Sequence, residues 1–411
     1  MIQRIELLAP AGNLSNLKTA IYFGADAVYG ALKQFGLRAH AGNFTYEELE
    51  EALSIVHGNG RKFYLTLNAM PNDHVMDDLL ALATRAYNMG VDAAIVSDIG
   101  VMNMLHERLP DLTLHISTQA NTLNSSACNF YHSAFGASRI ILARELSLAQ
   151  ITEIRASIPS ELELESFVHG AMCMAYSGRC LLSNAMTGRD GNQGACAQSC
   201  RWKYALVEAQ RPGEAMPIYE DQQGTYLLSS FDLCMLDHLP DLLRSGLSSL
   251  KIEGRMKSEY YVATVTSAYR RALDALYISE DEYCRQLPSL MKELDKVSHR
   301  ASNTGFYYGP PSSVAGAQGV MQSMEFKAQI AADSRAGEPA TLLLKNRFHA
   351  GDYLEVLSPD GVKGFVCEAM RLQKTGEMVD TYGVANEIVY TKIPFNVHAG
   401  DILRGPLRSS E

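Results

Sequence analysis

Phe23-Gly-Ala-Asp-Ala-Val-Tyr29 returns in the chain as Met89-Gly-Val-Asp-Ala-Ala-Ile-Val96, as Phe135-Gly-Ala-Ser-Arg-Ile-Ile-Leu142 and as Ser245-Gly-Leu-Ser-Ser-Leu-Lys-Ile252. Each copy closes a helix on glycine and passes at once into a β-rich run. Glycine just beyond a helix takes the left-handed backbone, and a short connection then delivers the chain to a buried strand. Repeated units of this kind predict a parallel sheet with helices outside it. Working outward, strands are expected at 5–8, 27–29, 62–68, 93–97, 112–117, 139–143, 162–168 and 249–253. Eight strands with helices between them, over roughly 255 residues, match an α/β fold of the (β/α)8, TIM-like barrel type. A doubly wound open sheet has the same strand count and is the alternative.

Helix signals agree with this. Thr45 and Glu48 form a capping box ahead of Leu49, Ala52, Leu53 and Val56, which share one helical face. After Arg255, Ser258 caps a long helix whose Val262, Val265, Tyr269 and Ala272 lie on one side. Asn303-Thr-Gly-Phe-Tyr-Tyr-Gly-Pro-Pro-Ser-Ser313 then reads as a linker. Beyond it the pattern is all-β, and His349-Ala-Gly-Asp-Tyr-Leu354 is echoed by His398-Ala-Gly-Asp-Ile-Leu403, which predicts two similar hairpins. The expected division is a barrel domain over 1–300, a linker over 301–320 and a small C-terminal β-barrel over 321–411, a domain type that often contacts RNA.

Between the last two barrel strands, at 171–234, sits a cysteine-rich insertion. Five of the eight cysteines in 411 residues fall there: Cys173, Cys180, Cys196, Cys200 and Cys234. Cys128, Cys284 and Cys367 are scattered, as core thiols usually are. The first residues lack the charged and apolar regions of a signal peptide, and no apolar run is long enough to span a bilayer, so a cytoplasmic location with no membrane contact is expected. Thiols stay reduced there, which disfavours disulfides. Zinc sites favour two short cysteine pairs, whereas iron–sulfur clusters accept irregular spacing and draw on backbone amides. The glycines between Cys173 and Cys196 supply such amides, so a cluster is expected ahead of zinc. A net charge of −10 excludes a surface coated for nucleic acid. The first part of the insertion, from Ala171 to Tyr204, nevertheless carries Arg179, Arg189, Arg201 and Lys203 against Asp190 alone, a local patch suited to an anionic partner.

In a barrel of this type the chemistry sits at the C-terminal ends of the strands. Those ends carry Asn68, Ser97, Asp98, Ser117, Gln119, Arg144 and Glu145, with Glu165 and His169 on or after the seventh strand and Lys251, Glu253 and Arg255 on or after the eighth. Glu165, His169, Asn68 and Glu253 are the catalytic candidates. Arg38, Arg144, Lys251 and Arg255 are the candidates for holding a carboxylate or phosphate, which a guanidinium fork suits. No Ser-His-Asp order or His-Glu-x-x-His motif is present.

The run from Glu165-Ser-Phe-Val-His-Gly-Ala-Met-Cys173 through Cys180 to Ser183 closely resembles the signature of peptidase family U32, the collagenase-like proteins. Similar to that family too are the opening from Glu6-Leu-Leu-Ala-Pro10, Gly36-Leu-Arg-Ala-His-Ala-Gly-Asn-Phe44, Asn192-Gln-Gly-Ala-Cys-Ala-Gln-Ser-Cys-Arg-Trp-Lys-Tyr204 and Leu250-Lys-Ile-Glu-Gly-Arg-Met-Lys-Ser258. The family name implies a peptidase. Other branches of the family hydroxylate RNA or quinones: 5-hydroxyuridine at the tRNA wobble position, with prephenate required; a 23S rRNA cytidine; and ubiquinone made without oxygen. The length resembles the tRNA branch. The resemblance implies a [4Fe-4S] cluster on Cys173, Cys180, Cys196 and Cys234, with Cys200 as the alternative ligand, and prephenate as co-substrate. It also implies the tRNA anticodon loop as partner, with an electron-donor protein beside it. The function so expected is hydroxylation of the wobble uridine by an oxidoreductase-like enzyme. Peptidase activity, or hydroxylation of another RNA or a small aromatic substrate, are the alternatives.

Overall fold

Gly24, Gly90, Gly136 and Gly246 all take positive φ, between 64° and 100°, at the ends of the helices they close. The turn chemistry read from the repeated phrase is therefore the turn chemistry of the fold. A computed structural model describes residues 4–33, 42–173, 175–189, 191, 196–202, 219–221, 224–226, 231–309 and 320–407. In it β1 (Glu6–Pro10), β2 (Ala27–Gly30), β3 (Lys62–Leu67), β4 (Ala93–Val96), β5 (Leu114–Ile116), β6 (Arg139–Ile141) and β7 (Glu163–Ala171) pair in sequence order, all parallel. Tyr219–Asp221 (β8) and Gly224–Tyr226 (β9) form a small hairpin in the insertion, and Asp232–Cys234 is β10. β11 (Ser249–Ile252) pairs with both β1 and β7 and closes the ring, so the open-sheet alternative is excluded.

Outside the ring run α1 (Leu14–Tyr22), α2 (Tyr46–Gly58), α3 (Met76–Met89), α4 (Ile99–Arg108), α5 (Ser125–Phe135) and α6 (Leu148–Ala156). α7 (Leu182–Thr187) belongs to the insertion, α8 (Leu239–Arg244) precedes β11, and α9 (Glu259–Ile278) and α10 (Glu280–Leu294) follow it. The Thr45–Glu48 capping box is formed, and Leu49, Ala52, Leu53 and Val56 are the buried residues of α2. Each of those larger side chains contributes about 1.5–3 kcal/mol by leaving water. Ser258 caps α9, whose Val262, Val265, Tyr269 and Ala272 are buried as the pattern required. None of the described helices is long and apolar enough to cross a membrane.

β7 is the longest barrel strand, and it does two jobs. Its first residues pair with β6 and β11, while His169, Gly170 and Ala171 pair antiparallel with β10. β10 in turn pairs with β12 (Ser302–Asn303). The β7–β11 register slips between Lys251 and Ile252, which face Phe167 and His169, so Val168 is bulged out. A bulge reverses the side to which the following residues point.

The C-terminal domain is an antiparallel all-β unit around its own core, which includes Leu342, Phe348, Leu354 and Val389. Its strands are β13 (Met324–Ile330), β14 (Pro339–Leu344), β15 (Phe348–His349), β16 (Tyr353–Ser358), β17 (Gly361–Val366), β18 (Met370–Leu372), β19 (Met378–Val379), β20 (Thr381–Tyr382), β21 (Ile388–Lys392) and β22 (Ile402–Pro406). The two His-Ala-Gly-Asp phrases make matching turns. In each, the aspartate N–H donates to the histidine carbonyl, and the histidine N–H donates to the aspartate carboxylate at 2.9 Å. Glycine at positive φ occupies the third position, as a type II turn requires. The domain is fastened to the barrel by buried charge. Arg404 of β22 reaches Glu293 of α10 at 2.5 Å and Glu355 of β16 at 2.6 Å, and Lys296 bonds both carboxylates.

Candidate functional site

The C-terminal ends of the strands surround a cavity of about 150 Å³. Its floor and walls come from Tyr29, Thr66, Phe167 and Lys251, and its rim from Asn68, Gln119, Arg144, Glu253 and Arg255. Cys173, Ser177, Gly178, Cys180, Ser183, Gly191 and Cys196 roof it, so the insertion lies over the mouth. The insertion is tied down there. Asn121 Nδ2, just past β5, donates to the Ser177 carbonyl at 3.1 Å, and Ser183 Oγ links Arg189 to Ala197 inside the insertion.

Among the described residues three cations reach the cavity, each held differently. Lys251 Nζ bonds Glu165 at 2.8 Å and lies 4.3 Å from the Tyr29 ring centroid. Arg255 donates to Thr66 Oγ1 at 3.1 Å and to Asn43 Oδ1 at 2.6 Å. Arg144 donates to the Ala171 carbonyl at 3.1 Å, stacks 4.0 Å over Phe167 and stands 3.6 Å from Glu253. Its Nε is buried without a protein partner among the described residues, as is Asn68 Oδ1. Ser97 Oγ bridges the Asn68 carbonyl and Gln119 Oε1, which fixes the amide-bearing side of the rim. The surroundings therefore combine fixed positive charge with neutral amides, a setting for a carboxylate or phosphate beside a polar ring.

Of the catalytic candidates, Asn68 and Glu253 line this cavity, but Glu165 and His169 do not. Glu165 lies beneath it, wholly buried between Lys251 and Arg139, and Arg139 also grips Glu6 at 2.6 Å. Burial would raise the Glu165 carboxyl, but Lys251 and Arg139 together hold it below its usual value. The bulge at Val168 turns His169 out of the barrel, against the rings of Tyr261 and Tyr269 of α9. Burial there pushes its pKa down to about 4, against a smaller pull from Asp232. Arg38 lies outside the described residues, as do Asp190 and Lys203 of the basic patch.

Among the five insertion cysteines, Cys173, Cys180 and Cys196 line the mouth. Cys234 faces His169 across the β7–β10 ladder, and burial raises its thiol pKa to about 11 against a smaller downward pull from Tyr269. Cys200 sits in the short turn Ser199–Arg201. None of the eight cysteines forms a disulfide. Donor chemistry at the mouth suits a sulfur-ligated cluster. Cys196 Sγ accepts the Gln198 backbone N–H at 3.4 Å. Among the described residues, however, no three His, Cys, Asp or Glu side chains converge tightly enough to hold a metal ion.

Tyr29, Thr66, Phe167 and Asn121 were not singled out from sequence. For Tyr29 and Thr66 the available signal is a polar-tipped residue inside an otherwise apolar parallel strand.

Residues 12–315 match peptidase family U32, and residues 322–404 match the peptidase family U32 C-terminal domain. The tRNA hydroxylation protein P1 of Bacillus subtilis (strain 168) is 35% identical, over 97% of this chain and 94% of that protein. The tRNA hydroxylation protein P of Escherichia coli (strain K12) is 35% identical, over 90% of this chain and 89% of its own. A Methanocaldococcus jannaschii relative described as an uncharacterized protease is 44% identical over 75% of this chain and 74% of its own.

Proposed function

The chain belongs to peptidase family U32, and from that premise we propose that it is an RNA-hydroxylating enzyme acting on C5 of the wobble uridine of tRNA. The observation that carries the reading is the cavity itself: large enough for one six-membered ring, lined by amides and fixed cations, and roofed by thiols. The two relatives named for tRNA hydroxylation, similar over nearly their full lengths, support it.

Replacing C5–H by C5–OH is a two-electron oxidation, which side chains alone do not perform. Cys173, Cys180 and Cys196, completed by Cys234 or Cys200, would hold a [4Fe-4S] cluster, which would supply one-electron transfer at this mouth, so that with water as the oxygen source the two electrons leaving the ring would pass to a redox-partner protein. Arg144 and Arg255 would clamp the two carboxylates of prephenate as co-substrate, bidentate forks being suited to that geometry. When the base occupies the cavity in place of prephenate, Asn68 and Gln119 would hold its edge, drawn out of its loop as chemistry on a nucleobase requires. Lys251, pinned by Glu165, would set a positive potential at the floor and favour charge building up on the ring. A peptidase needs a nucleophile beside a base, and no histidine is among the described residues lining the cavity. A cytoplasmic location follows from the substrate.

Nucleoside analysis of tRNA from a strain deleted for the gene, with any paralogue also removed, tests this. Loss of wobble 5-hydroxyuridine, restored by the wild type but not by Arg144→Gln, is the expected result. Unchanged 5-hydroxyuridine would overturn it, and gelatin cleavage by the purified protein would favour the peptidase reading.

A further inference from the structure

Large apolar side chains stand in solvent around this mouth. Ile99 opens α4 just past β4, Leu123 and Met256 sit on the loops after β5 and β11, and Tyr176, Leu181 and Trp202 sit on the insertion. Exposed apolar surface gathered around one opening marks an interaction site rather than chance. Tyr176 is 46% exposed and Trp202 41%, yet the backbone beneath Tyr176 is fixed. The Arg179 N–H donates to the Tyr176 carbonyl at 3.1 Å, Gly178 takes φ 73°, and Asn121 holds the Ser177 carbonyl. A large ring on a braced turn is offered to solvent at little cost in disorder.

The charge around these rings narrows the partner. The stretch 171–204 that bears both rings carries Arg179, Arg189, Arg201 and Lys203 against one acid, Asp190, in a chain of net charge −10. An anionic partner with flat apolar faces is a single-stranded nucleic acid, whose bases stack on aromatic side chains while its phosphates meet arginines. The cavity admits one ring and no more, so the bases on either side of the reacting one must find places outside it. We infer that Tyr176 and Trp202 are stacking platforms for the nucleotides flanking the base that enters the mouth. The inference rests on the RNA reading above and assigns binding residues beyond it.

Trp202 is the sole tryptophan of the chain, so its emission isolates the contact. The full-length protein, purified without oxygen, is titrated with a stem-loop RNA whose seven-nucleotide loop carries a central uridine and whose 5′ end carries a dye. Tryptophan emission and dye anisotropy are followed together. The expected result is saturable quenching with the same midpoint as the anisotropy change. Trp202→Ala and Tyr176→Ala should each weaken binding by about five- to a hundredfold, and Trp202→Phe should restore most of the affinity. Both side chains are half exposed, so circular dichroism should show the fold intact. Binding by anisotropy with unchanged emission, and with both alanine variants matching wild type, overturns the stacking assignment and leaves the RNA reading standing. No binding of the stem-loop by wild type, even at low salt, overturns both.

Discussion

Glu165 and His169 lie on one strand, four positions apart, and carry opposite electrostatic burdens. Glu165 is ionised between Lys251 and Arg139. Glu165→Gln leaves two buried cations short of a counter-charge and should cost about 3–5 kcal/mol, read as a fall in the urea midpoint at pH 7. Because its folded pKa is depressed, its contribution is present above the unfolded value near pH 4.3 and is lost as pH falls through the folded one. His169 is buried neutral, with a pKa of about 4 against about 6.5 unfolded. The unfolded chain therefore binds the extra proton between those values, and stability should decline by about 3 kcal/mol as pH drops from 6.5 to 4. His169→Gln should flatten that part of the pH–stability profile. A variant with the same slope as wild type would assign the titration to another group.

At the scale of the element, the two His-Ala-Gly-Asp turns form a matched pair with unequal surroundings. Gly351 at φ 88° has open space where a Cβ would stand, whereas Gly400 at φ 103° faces the Tyr22 ring of α1 at 3.2 Å. Gly351→Ala should cost about 1–2 kcal/mol, the left-handed backbone penalty alone. Gly400→Ala should cost measurably more, because the ring must also give way; equal losses in a denaturant series would refute the comparison. These turns, the helix-closing glycines and the caps at Thr45 and Ser258 were legible in the sequence because each depends on neighbours a few residues away. The placement of His169 was not. Its direction hangs on one bulge at Val168, set by how β7 must meet both β11 and β10. Glu165 was equally opaque as an ion-pair member, since Arg139 and Lys251 come to it only through strand order. The position of the cysteine segment over the mouth followed from its leaving the end of the seventh strand.

Across the whole molecule, Arg404 is the rivet between barrel and β domain. It is fully buried and bonded to a carboxylate on each side. Arg404→Ala leaves Glu293 and Glu355 sharing Lys296 alone and should cost about 3 kcal/mol. The β domain has a core of its own, although its Phe326, Leu357 and Ile402 pack into the barrel's, so calorimetry should show one transition resolving into two; a single transition merely shifted downward would mean that the domains do not unfold separately. The pairing of β7 with β10 has a different kind of consequence. Ala171 and Asp232 face one another across that ladder, so the insertion leaves and re-enters through a single doorway while β11 seals the ring without it. Such a segment is a cartridge. Relatives could lengthen, shorten or rewrite the roof, and so change what is delivered to the mouth, without renegotiating the closure of the barrel beneath.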